Sequence, residues 1–144
     1  MHCKFCDVPK FGFYGNASIE DMDRQIRTII EGESVRETDR FNVHFARMGE
    51  PTWNENVLAF GLALRGVVKS TGLVAKTVHP VVSTMLPKAN NKLGNFLQVW
   101  CSIKNEFYNG EAGLQFSINS TDDEQRNKPC DSKSLSLTQI SPAG

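Results

Sequence analysis

The strongest constraint on this chain is an exchange of periodicities, in which segments that alternate every second residue are separated by segments with helical spacing. Phe41, Val43 and Phe45 alternate with Asn42, His44 and Ala46 up to Met48-Gly49-Glu50-Pro51, the period of a strand followed by a turn. Thr77-Val78-His79-Pro80-Val81-Val82-Ser83 is rich in β-branched residues and reads as a second strand. Gly113 to Asn119 reads as a third, with Leu114, Phe116 and Ile118 on one face and Gln115, Ser117 and Asn119 on the other. Helical patterns surround these strands. Ser18-Ile19-Glu20-Asp21-Met22 supplies a capping serine and acids in the first turn, then Met22, Ile26 and Ile29 on one stripe, which predicts a helix ending near Gly32. Asn54 to about Lys69 carries Val57, Leu58, Leu62, Leu64 and Val68, with Gly72 as terminator. Asn91 to about Tyr108 carries Leu93, Phe96, Leu97, Trp100, Ile103 and Phe107, and Asn109-Gly110 closes it. Thr121-Asp122-Asp123-Glu124 starts a last helix that stops at Pro129.

Strands separated by helices are joined by right-handed crossovers and pair in parallel. The chain is therefore predicted to be α/β, with no internal repeat and no internal domain boundary. Its 144 residues and 40% hydrophobic content suffice for one modest core. Sixteen basic and sixteen acidic residues cancel, which removes any global electrostatic drive toward nucleic acid or an anionic membrane. No apolar run approaches the roughly 20 residues of a membrane span, and the start lacks a signal-peptide pattern. These readings predict no membrane association and a cytoplasmic protein. The unevenly spaced Cys3, Cys6, Cys101 and Cys130 are expected as reduced thiols, Cys101 acting as a small hydrophobe in a helix and Cys130 as a bystander in a polar tail.

In a parallel α/β barrel the functional groups gather at the carboxyl ends of the strands, because the loops there share one face. Gly49-Glu50 follows the first strand, Ser83-Thr84 ends the second, and Ser117 and Asn119 close the third. At the start of the sequence, Cys3 and Cys6 stand in C-x-x-C spacing. Two such thiolates chelate zinc or an iron-sulfur centre, and a closed site needs one or two further ligands. His44 and His79 are expected to be packing or solvent-facing residues, and Lys10 a solvated charge.

Four stretches, in order, carry a resemblance to the radical S-adenosylmethionine (SAM) superfamily, closest to its ribosomal-RNA adenine methyltransferases and their antibiotic-resistance relatives. Cys3-Lys4-Phe5-Cys6 resembles the last two cysteines of the C-x-x-x-C-x-x-C loop, with an aromatic residue before the final cysteine. Lys10-Phe11-Gly12-Phe13-Tyr14-Gly15-Asn16 is similar to the segment that follows those cysteines. Met48-Gly49-Glu50-Pro51 resembles the motif after the second barrel strand. Leu114-Gln115-Phe116-Ser117-Ile118-Asn119-Ser120, with Asp122-Asp123-Glu124-Gln125-Arg126, resembles the fourth-strand motif and the helix behind it.

The resemblance implies a fragment of a parallel partial (β/α)6 TIM-like barrel, first and last strands missing. Residues 1–17 would be the cluster loop, 18–128 helix and strand repeats, and 129–144 an irregular tail. It implies a [4Fe-4S] cluster held by three thiolates, Cys3 and Cys6 among them, with SAM on the open iron. Gly49 and Glu50 would hold the methionyl ammonium, Ser83 and Ser117 the carboxylate and ribose end, Asn119 would also bind the cofactor, and Phe5 would lie beside the adenine. It also implies an RNA substrate and an electron donor such as a flavodoxin or ferredoxin. The alignment puts the first cluster cysteine two positions before Met1, and Cys101 and Cys130 do not match the cysteines that carry the family's methyl group. A non-catalytic fragment, a zinc-binding module sharing a partner's ligands, and a radical SAM enzyme acting on a protein or small molecule remain the alternatives. An incomplete barrel leaves strand edges and one flank of the sheet open, which predicts marginal stability.

Overall fold

Ser18 begins the first helix as its sequence dictates. Its hydroxyl accepts a hydrogen bond from the Asp21 amide at 3.0 Å, and the Asp21 carboxylate accepts one from the Ser18 amide at 3.0 Å. These bonds to Ser18 hold the Asp21 carboxyl below its usual pKa. In the computed structural model, which describes residues 4, 6–130 and 133–141, helix α1 spans Ile19–Gly32 and buries Met22, Ile26 and Ile30. Ile29, expected on the buried stripe, is 55% exposed. The stripe follows spacings of four, so Ile30 takes the inward position.

Strand β1 spans Glu37–Phe45, helix α2 Asn56–Ser70 and strand β2 Val74–Thr84. Helix α3 spans Leu93–Ser102, followed without a break by a π-helical turn over Ile103–Phe107, and strand β3 spans Gly113–Phe116. Two short helices end the described chain: α4, Asp123–Cys130, and α5, Leu137–Ile140. Helix α4 extends through Pro129, where a stop was expected. Helix α5 is one turn, closed by a capping box of Ser136 and Gln139, in the tail expected to be irregular.

The π turn explains a second displaced residue. The Tyr108 amide bonds to the Ile103 carbonyl, five residues back, at 3.0 Å. The extra residue rotates the pattern, so Tyr108 is fully buried and Phe107, expected inside, is 40% exposed. The Tyr108 hydroxyl donates to the Gly61 carbonyl on α2 at 2.6 Å, and burial pushes its pKa up to about 12. Arg65 covers the rings of Phe107 and Tyr108 from outside.

The three strands lie in the order β1-β2-β3 and pair in parallel, with Phe45 opposite Val82 and Val82 opposite Leu114. The α/β class with a parallel sheet is thus as expected. Alternation along the strands puts Phe41, Val43, Phe45, Val78, Val82 and Leu114 on one face, and all of them join the main core with residues of α1, α2 and α3. Phe45 meets Phe60 and Trp100 edge-on, at ring separations of 6.2 and 6.0 Å. Gly61 is required for that packing, since a Cβ there would lie 2.9 Å from the Trp100 ring. A smaller apolar cluster, Leu86, Leu93 and Ile140 with Leu97, Phe116 and Leu135, fastens the end of the chain beside α3 and β3. Among the described residues, no helix is long and apolar enough to cross a membrane.

Candidate functional site at the carboxyl ends of the strands

Parallel pairing brings the ends of all three strands to one edge, and Glu50 is the residue that ties that edge together. The chain leaves β1 through Arg47 and Gly49, both with positive φ (71° and 149°). A Cβ on Gly49 would meet nothing within 4 Å, so glycine is favoured there by backbone conformation and not by space. Pro51 then opens a 3-10 turn over Pro51–Trp53. Glu50 is half-buried at the head of that turn.

Its carboxylate accepts four hydrogen bonds: Oε1 from the Thr52 amide (3.3 Å), the Thr52 hydroxyl (2.8 Å) and the Thr84 hydroxyl (2.6 Å), and Oε2 from the Met85 amide (3.0 Å). One side chain thereby fixes the loop after β1 to the end of β2. The Thr84 hydroxyl also accepts from the Leu86 amide at 2.9 Å. Buried Asn90 completes the frame, its amide donating to the Thr52 carbonyl at 2.9 Å and its carbonyl accepting from the Lys92 amide at 3.0 Å. Among the described residues, none of Glu50's hydrogen-bond or ion-pair partners is a cation, so its negative charge is held by neutral donors.

The other expected site residues fall around this corner unevenly. The Ser83 hydroxyl donates to Gln115 Oε1 at 2.8 Å, across the β2–β3 pair and on the opposite face of the sheet from Thr84. Ser117 lies one residue beyond β3, where its amide continues the ladder to the Thr84 carbonyl at 2.8 Å. Asn119 is exposed and farther out, because β3 ends at Phe116 and not at Asn119 as expected. Cys6 is a half-buried free thiol ahead of the turn over Val8–Phe11. The expectations for Cys3 and Phe5 lie outside the described residues. Sequence reasoning named Thr84 with Ser83 at the end of the second strand but gave the site role to Ser83, and it missed Thr52 and Asn90. The signal for Thr84 was present, since its spacing of two from Val82 puts both on the same face.

The implied groups can be tested against these residues. Of the three thiolates a cluster needs, the C-x-x-C pair supplies two, and Cys101, on α3 in the helical layer, is not placed to be the third. Among the described residues, no three His, Cys, Asp or Glu side chains are grouped to share a metal ion. The amino end of SAM fares better. Glu50 Oε1 is saturated by three donors while Oε2 receives one, which leaves an acceptor direction for an ammonium.

The face of the sheet away from the helices is mainly polar, with Val81 buried on it beside Gly113. Arg40, Asn42 and His44 on β1 and Gln115 on β3 are exposed there, and Ser83 and His79 are half-buried. Burial, then the nearby Arg40 charge, hold the His79 pKa below its usual value, with Glu111 acting in the other direction. No family model matches this chain, and no match to it was found among curated proteins or solved structures.

Proposed function

We propose that this chain is part of a radical SAM core, an arc of a (β/α)6 barrel whose parent is an RNA adenine methyltransferase-like enzyme. The observation that carries the proposal is the Glu50 corner, an anionic side chain with a spare acceptor position at the carboxyl edge of a parallel sheet. Sequential strand order with the helices on one face supports the barrel, because a doubly wound sheet reverses its order and covers both faces. In this reading Glu50 receives the methionyl ammonium of SAM, and Ser83, Ser117 and Asn119 line the approach to it. Cys3 and Cys6 contribute two thiolates to a [4Fe-4S] cluster that the parent completes, fed by a flavodoxin- or ferredoxin-like donor. When bound, the cluster would supply the electron that cleaves SAM. No step of that reaction is assigned to this chain alone.

Anaerobic reconstitution of the full chain with iron and sulfide, followed by metal and sulfide analysis, tests the proposal. With a small thiol supplied as the third ligand, iron and sulfide retained by the chain and lost in Cys6→Ser are expected; zinc bound without iron would overturn the assignment. A non-catalytic reading has one observation in its favour, the four structural hydrogen bonds of Glu50. SAM binding weakened by Glu50→Gln, with the fold retained, distinguishes the two.

A further inference from the structure

Buried side-chain polar atoms are almost always paired, so each exception asks for a physical reason. Among the described residues, three of the four such atoms without a hydrogen-bond partner are Arg126 Nε, Arg126 Nη2 and Ser134 Oγ. Arg126, on α4, is 1% exposed. The segment 133–140 lies against its guanidinium, the Leu135 carbonyl accepting from Arg126 Nη1. Among the described residues no carboxylate meets that charge, and Asp123, one turn earlier on α4, accepts instead from the Leu137 amide at 3.0 Å. The same segment is tied to the loop after β2 by two backbone bonds. The Lys88 amide donates to the Lys133 carbonyl at 2.8 Å and the Leu135 amide to the Leu86 carbonyl at 2.9 Å, on either side of an antiparallel bridge between Pro87 and Ser134.

We propose that residues 133–140 are a strap on the carboxyl edge that opens as a unit, and that the concealed charge of Arg126 sets how readily it opens. Arginine keeps its charge inside a protein, so deprotonation does not relieve the closed state. A buried guanidinium with one neutral acceptor is destabilising, and the apolar contacts of Leu135 and Ile140 with Leu86 and Leu93 oppose it. Opening returns Nε and Nη2 to water. The main core contains no residue of the strap and stays packed when the strap lifts. Lifting also releases the Leu86 carbonyl, and the Leu86 amide is bonded to the same Thr84 hydroxyl that donates to Glu50. The strap thus closes on the edge that carries the Glu50 corner.

Native-state amide exchange of the full chain, followed by NMR and corrected for intrinsic rates, reads the opening. The Lys88 and Leu135 amides should share one protection factor, about tenfold or more below that of Leu64, a fully buried residue of α2. Arg126→Met, which fills the space without the charge, should raise protection of both amides about tenfold or more. An arginine that only braces the strap gives the opposite sign, because the lost bond to the Leu135 carbonyl lowers protection. Ile140→Ala, which removes an apolar anchor, should lower both together. Protection of Lys88 and Leu135 equal to that of Leu64, unequal responses of the two amides, or unchanged or lowered protection in Arg126→Met would overturn the proposal. Should Arg126→Met lose its far-ultraviolet circular dichroism, Arg126→Gln, which drops the charge and keeps an N–H for the Leu135 carbonyl, decides in its place. No iron or SAM enters this experiment, so its failure and that of the radical SAM reading are distinct.

Discussion

The two faces of the same three strands have opposite fates. One face carries Phe45 and Val82, 9% and 0% exposed, beneath three helices and against Trp100. The other carries Arg40, Asn42, His44 and Gln115 in solvent. Composition along each strand does not cause this by itself, since the residues alternate one by one. Topology does. With strands in sequential order and crossovers of one hand, each connecting helix returns on the same side, and the opposite face is left mainly to polar residues, buried Val81 apart. The difference teaches where stability resides in this chain: the covered face holds it folded, and the open face contributes little packing.

The sharpest way to break that division is to delete one group from each side. Trp100→Ala removes a fully buried ring that touches Phe45 and donates from Nε1 to the Gly113 carbonyl at 2.9 Å. It should cost about 3–5 kcal/mol of unfolding free energy in urea denaturation. Asn42→Ala on the open face should stay within about 0.5 kcal/mol. Comparable losses from both would mean that the open face is also packed.

Glu50→Gln probes the edge where the two faces meet. The substituted amide keeps one acceptor oxygen but sets an NH2 group against either the Thr84 and Thr52 donors or the Met85 amide. A loss of about 1–3 kcal/mol is expected, the penalty for leaving part-buried donors unpaired. An unchanged denaturation midpoint would mean that the carboxylate is held for a ligand and not for the fold. Gly49→Ala should cost somewhat less, about 1 kcal/mol, because alanine must adopt the positive φ of 149°.

Element order was legible in the sequence because period two and helical spacing are both local signals. What escaped it depended on geometry between elements. Ile29 and Ile30 are both plausible on a helical stripe, and only the direction of α2 from α1 selects Ile30. Phe107 gave way to Tyr108 because a π turn adds a residue that no spacing rule anticipates. At the candidate site, Glu50 was found from the turn that follows β1. Its true partners were not, because Ser83 and Thr84 are adjacent in sequence yet face opposite sides of the sheet, and the contact to Glu50 belongs to Thr84. Asn90, which braces Thr52 from 38 residues away, left no local mark at all.

The smallest effect expected is also the one that reads the open face most finely. His79 carries a pKa below its ordinary 6.5, through burial first and Arg40 second. Between that lowered value and 6.5 the unfolded chain binds more protons than the folded one, so stability rises with pH across the window. Acidification from pH 6.5 downward should therefore weaken the fold until His79 is protonated in both states. Arg40→Gln should narrow the window by raising the folded pKa, and His79→Gln should remove this contribution altogether. Urea midpoints collected across that pH range check both. A slope unchanged in His79→Gln would mean that His79 does not set the pH dependence in this window, since Asp21, whose pKa is also lowered on folding, loses its contribution only as pH falls below its ordinary 3.8.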